Sequence, residues 1–126
     1  VLVVATPEPT ALTDAFATLK VLATLQRRLK PFLLVNQVTR VGEGLLIAQQ
    51  MQQVLDRFLA SVGSPRLRMV GELPLDDAAR LAVRQRRLVL QSAPGSTLAQ
   101  GLRAQALRLA AWMEAPQDAG PRADGF

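Results

Sequence analysis

Apolar and polar positions change period several times along this chain, and each change marks an element. Val1-Leu2-Val3-Val4-Ala5 is apolar without alternation and rich in β-branched residues, which predicts a strand covered on both faces. A second unalternating run, Lys30-Pro31-Phe32-Leu33-Leu34-Val35-Asn36-Gln37-Val38, predicts the central strand over residues 32–35, closed by polar Asn36. Leu67, Met69 and Val70 mark a third strand over 66–73. Between these runs the period lengthens to that of a helix. Leu12, Phe16, Leu19 and Ala23 predict a helix capped by Thr10 and running to about residue 29, its end crowded by Arg27, Arg28 and Lys30. Ile47, Met51, Val54, Leu55 and Phe58 predict another over 45–60, with Gln49, Gln50, Gln52 and Gln53 largely around them.

Past the third strand, Asp76 and Asp77 are placed to cap a short helix over 78–85. Residues 88–90 form a brief apolar segment, strand or turn. Ser92-Ala93-Pro94-Gly95-Ser96 is a loop whose Ser96 caps a last helix over 96–113. That helix carries Leu98, Leu102, Ala106, Leu109 and Met113 in one stripe, Trp112 beside it, and Arg103 and Arg108 opposite. Strands alternating with helices predict an α/β fold, a parallel sheet flanked by helices on both faces. The pattern makes residues 1–115 one domain and 116–126, rich in Pro, Gly, Asp and Ala, a disordered tail.

Composition narrows the chemistry. The 126 residues include no Cys and no His, which removes disulfides, thiolate nucleophiles, the usual zinc sites and His acid/base catalysis. The net charge of +5 comes almost wholly from Arg, with Lys20 and Lys30 the two lysines. Arg84, Arg86 and Arg87 cluster without interleaved aromatic residues, the composition of a solvated helix end rather than a nucleic-acid surface. The chain starts inside an apolar run without an initiating Met, so a piece of a longer chain is expected.

Asn36 stands out because it falls just past the carboxyl end of the central strand, where ligands of parallel sheets sit. Its side chain carries donors and an acceptor and can meet adenine's amino group and ring nitrogen together. It can equally satisfy backbone groups in the turn. Asp76 and Asp77 read as a metal pair or, more simply, as caps. Gly42-Glu43-Gly44 is no phosphate cradle, since neither a lysine nor a hydroxyl residue follows it.

The run from Val3 to Ala15 (Val-Val-Ala-Thr-Pro-Glu-Pro-Thr-Ala-Leu-Thr-Asp-Ala) resembles the MinD/ParA branch of the P-loop ATPases. Leu34-Val35-Asn36-Gln37-Val38, Gly71-Glu72-Leu73-Pro74-Leu75-Asp76, Ala82-Val83-Arg84 and the Ala93-Pro94-Gly95-Ser96 turn follow in matching order. Within that branch the chain looks most like the later part of the flagellar number and placement regulators (FlhG, FleN, YlxH). The resemblance implies a sheet incomplete at its N-terminal side and a parent protein that hydrolyses ATP with Mg²⁺. It also implies dimerisation when ATP is bound. Adenine contacts carry over to Asn36 and to Pro74, Leu75 and Asp76; Glu8 and Asp14 would face the partner subunit. A homodimer and a flagellar assembly or regulatory protein are the implied partners, and nucleic acid is not. The implied setting is cytoplasmic, or peripheral to the inner membrane only through segments not clearly present in this chain, with the last helix packed on the sheet. The phosphate loop and its lysine are absent, so this chain alone is expected to be inactive. The competing reading is a non-enzymatic interaction module on the same fold.

Overall fold

In a computed structural model, which describes residues 1–115, three strands form one parallel sheet in the order β1-β2-β3. They are β1 (Leu2–Ala5), β2 (Phe32–Val38) and β3 (Arg68–Pro74). Helix α1 (Pro9–Leu25) joins β1 to β2, and α2 (Glu43–Phe58) joins β2 to β3. After β3 come α3 (Asp77–Arg84), the single turn α4 (Val89–Ser92) and α5 (Thr97–Glu114). The tail over 116–126 lies outside the described residues.

The central run is the central strand. Leu33 of β2 pairs with Val3 on one side and Met69 on the other. Val3, Ala5, Leu33 and Val35 share one face, as period-2 alternation requires. Ala15, Leu19 and Ala23 of α1 and Ile47, Ala48, Met51 and Leu55 of α2 complete that core. Sequential strand order with crossovers of one hand puts both linking helices on the same side. The other face is covered by α5 over β3. There Trp112 stacks on Phe32 with centroids 6.0 Å apart, and Arg108 Nη1 donates to the Val70 carbonyl at 2.8 Å. Gly71 permits this approach, because a Cβ on it would overlap the Gln105 side chain. The last helix therefore packs on the sheet, and no described helix is long and apolar enough to cross a membrane.

Several boundaries differ from the pattern reading, each for a physical reason. Helix α1 starts at Pro9, with Glu8 rather than Thr10 at the cap, because proline's fixed φ suits the first helical position. It ends at Leu25, not near 29. Its buried stripe of Ala15, Leu19 and Ala23 would continue to Gln26 or Arg27, which give the next turn nothing to bury. β2 does not close at Asn36 but continues to Val38. Residues 88–90 enter a helical turn. On α5 the inward line passes through Leu98, Ala99, Gln105 and Trp112, leaving Met113 exposed; Arg108, expected outside, reaches the sheet.

Gln52 is the largest departure on α2. Read as part of the polar surround, it is 3% exposed, whereas Val54 and Phe58, expected on the buried face, are 40% and 62% exposed. Its Nε2 donates to the Pro65 carbonyl at 3.0 Å and to Asp56 Oδ1 at 2.9 Å, while its Oε1 accepts from Leu67 N–H at 2.9 Å. One amide thus satisfies the backbone that leads into β3. Gln52→Leu should lower stability by roughly 1–3 kcal/mol in urea unfolding, the cost of leaving those buried groups unpaired. An unchanged midpoint would show that the amide carries no net stability.

Candidate functional site

At the carboxyl ends of β2 and β3 the ladder becomes irregular. Val35 pairs with Glu72 and Val38 with Pro74, so β2 holds one residue more than its partner between those pairs. The surplus is absorbed at Gln37, which adopts a left-handed φ of 59°. A side chain with a Cβ holds that conformation only at a cost of about 1–2 kcal/mol. Asn36 offsets part of it, since its Oδ1 accepts from Gln37 N–H at 2.9 Å. The turn-satisfying role open to Asn36 is therefore real. It uses the oxygen only, and the Nδ2 amine donates to no described protein group.

The exit of β3 is held by its own hydrogen bonds. Leu75 N–H donates to the Val38 carbonyl at 2.9 Å. Asp76 then caps two helices. Its Oδ1 accepts from Ala78 N–H of α3 at 2.9 Å, and its Oδ2 from Leu98 N–H at 3.0 Å and the Thr97 hydroxyl at 2.9 Å at the start of α5. These bonds, Ala78 first and Leu98 next, keep the Asp76 carboxyl below its ordinary value of 3.8. The carboxylate is thus a cap, as one of its two sequence readings had it. Asp77, the other member of that pair, is exposed in the first turn of α3.

Between these exits lies a cleft of 340 Å³. Asn36 and Gln37 form one wall, residues 73–77 run along it, and Arg80, Val83, Leu98 and Leu102 close it from α3 and α5. All four residues expected to touch a base, Asn36, Pro74, Leu75 and Asp76, are brought together here. Asp76 can offer only its backbone, because its oxygens are engaged. Glu8 and Asp14 are exposed at the start of α1 and do not line the cleft. Gln37, Arg80, Leu98 and Leu102 were not legible as site residues. Leu98 and Leu102 read as an ordinary core stripe, and only the Asp76 link to the α5 start brings them here.

A second place where backbone N–H groups converge is the start of α2, where Gly42 has a φ of 90°. It is filled by the chain itself. Glu72 accepts from Gly42 N–H at 2.7 Å and from Gly44 N–H at 2.8 Å, one carboxylate oxygen each. A phosphate there would meet a negative charge, so Gly42-Glu43-Gly44 does not act as a phosphate loop. No group of three or more His, Cys, Asp or Glu among the described residues could hold a metal ion.

No family model matches the chain. Two curated proteins do. The antiactivator FleN of Pseudomonas aeruginosa is 33% identical over 122 residues, 97% of this chain and 41% of FleN. The flagellum site-determining protein YlxH of Helicobacter pylori is 28% identical over 102 residues, 81% of this chain and 33% of YlxH. Over nearly all of its length the chain is thus similar to two flagellar regulators of the MinD/ParA type. It spans well under half the length of either relative, and its three-stranded parallel sheet is consistent with part of that family's fold.

Asp76 makes the site's architecture pH-dependent. Its pKa is lowered in the folded chain, so its contribution is complete above 3.8 and is lost as pH falls through the lowered value. Asp76→Ala should lower the thermal midpoint at pH 7 and flatten its fall below pH 3.8. Equal slopes for both proteins between pH 7 and 2 would rule out the double-cap role.

Proposed function

We propose that this chain is the base-holding part of an ATP-dependent, dimerising MinD/ParA-type ATPase that regulates flagellar number or placement. The cleft carries this reading. Leu73, Leu98 and Leu102 supply apolar surface suited to the faces of a purine, and Asn36 supplies an amide with donors unclaimed by the protein. A base is held by such a mixture, whereas phosphates need cations and clustered backbone donors. When bound, ATP would supply the transferable phosphoryl group, with its phosphates and Mg²⁺ held by residues outside this chain. What these residues do is orient the base: Asn36 by its amide, Pro74–Asp76 by their backbone, and Arg80 by the reach of a guanidinium to the cleft wall. Exposed Glu8 and Asp14 suit contact with a second subunit. The flagellar role is supported by the names borne by FleN and YlxH.

In the intact protein, Asn36→Ala should weaken ATP binding by roughly 1–3 kcal/mol, the scale of a good bidentate base contact, and should erode discrimination against GTP. Calorimetric titration of both nucleotides checks it; unchanged affinity and selectivity would remove Asn36 from the site. Absence of any ATP binding by the intact protein would favour the interaction-module reading instead. The 126-residue chain alone should release no phosphate from Mg-ATP above a buffer control, because it supplies no phosphate-binding lysine loop.

A further inference from the structure

The opposite pole of the sheet carries a second cleft of 260 Å³, at the amino ends of β2 and β3. Arg27, Arg28 and Lys30 line it from the α1–β2 loop, Arg66 and Arg68 from the entry to β3, with Ser64 beside them. Five of the chain's 15 Lys and Arg residues therefore surround one small hollow, with Arg66 partly neutralised by Asp56 at 3.5 Å. Arg27 and Arg28 lie just past the end of α1, whose last turn holds no basic residue, so dipole compensation explains little of this. That account does not reach Arg68. Arg68 is 3% exposed, forms no ion pair with a described residue, and its Nη2 is buried without a hydrogen-bond partner. Its guanidinium lies over the Phe32 ring, 5.9 Å from the centroid, a contact weaker than a carboxylate would give. A buried charge without a counter-ion is costly; Nη2 itself is closed off, and an anion in the hollow that Arg68 lines offsets that cost through its charge.

We infer that this pole is a binding site for a phosphate group carrying two or more negative charges, either free or on a lipid headgroup. Arginine's planar fork suits phosphate oxygens, and the small volume fits one such group rather than a tracked polynucleotide backbone. The site is separate from the base cleft, since no residue lines both.

The test is an NMR titration of the intact protein, its nucleotide site filled beforehand with ADP, with sodium pyrophosphate at about 0.15 M salt, where diffuse surface attraction is screened. Saturable shifts centred on Leu29, Lys30, Ser64 and Arg66 amides, with Asn36 and Asp77 unmoved, are expected. The exposed double variant Arg27→Gln/Arg28→Gln and the buried variant Arg68→Met should each weaken binding about tenfold or more, the first by loss of charge-assisted hydrogen bonds and the second by loss of the buried charge behind the hollow. Sedimentation with phosphatidic acid or phosphatidylcholine vesicles separates the two sources, the former headgroup being a phosphomonoester able to carry two charges. Pyrophosphate-sensitive binding to the former alone supports the headgroup, and pyrophosphate binding without vesicle binding supports a free phosphate. No saturable shift, shifts centred elsewhere, or equal affinity in the exposed double variant would overturn the site.

Discussion

Two carboxylates on the last strand and its exit hold three helix starts in place. Glu72 binds the Gly42 and Gly44 N–H groups at the start of α2, and Asp76 binds Ala78 of α3 and Leu98 of α5. Helix N-termini present orphan donors and a partial positive charge, so a carboxylate there is satisfied in both respects. Because both acids come from one short stretch, the α2, α3 and α5 starts are indexed to the same strand exit. The cleft is the space left between those fixed points and the end of β2.

This arrangement decides which chemistry the cleft can do. Asp76 has committed its oxygens to backbone and Thr97, and Glu72 is committed to α2. Of the acids that line the cleft, Asp77 alone keeps a carboxylate bonded to no described group, exposed in the first turn of α3. The other polar handles are the Asn36 and Gln37 amides, main-chain groups and Arg80. Such a set suits recognition and orientation of a ligand. The left-handed turn at Gln37 fits this role, since it re-aims the strand end where Asn36 meets the cleft.

The two ends of the sheet thus have opposite characters. The carboxyl end is apolar and hydrogen-bonding, and the amino end is strongly cationic around a buried, unpaired Arg68. Both ends are built where loops leave the strands, which is where a parallel sheet has backbone and side chains to spare. The α5 side of the sheet remains partly open: Leu2 and Val4 of β1 are 41% and 54% exposed, an apolar surface that nothing described here covers.

Period alone determined most of the fold. Unalternating runs made the strands, helical stripes made α1, α2 and α5, and their order made the sheet parallel. It also marked the 74–76 segment as a strand exit and set Asn36 near one, although β2 runs on to Val38, and resemblance implied the base contacts proposed for them. Tertiary structure decided what one-dimensional patterns do not encode. Gln52 is polar and so read as surface, yet it is buried because the entry to β3 needed its amide. Leu98 and Leu102 read as core, yet they line the cleft because Asp76 pulls the α5 start to the strand exit. Arg68 sits in a run that alternates poorly, and only packing shows it buried beside Phe32. A pattern records which residues avoid water; which polar groups find one another across the fold is settled by contacts between residues far apart in the chain.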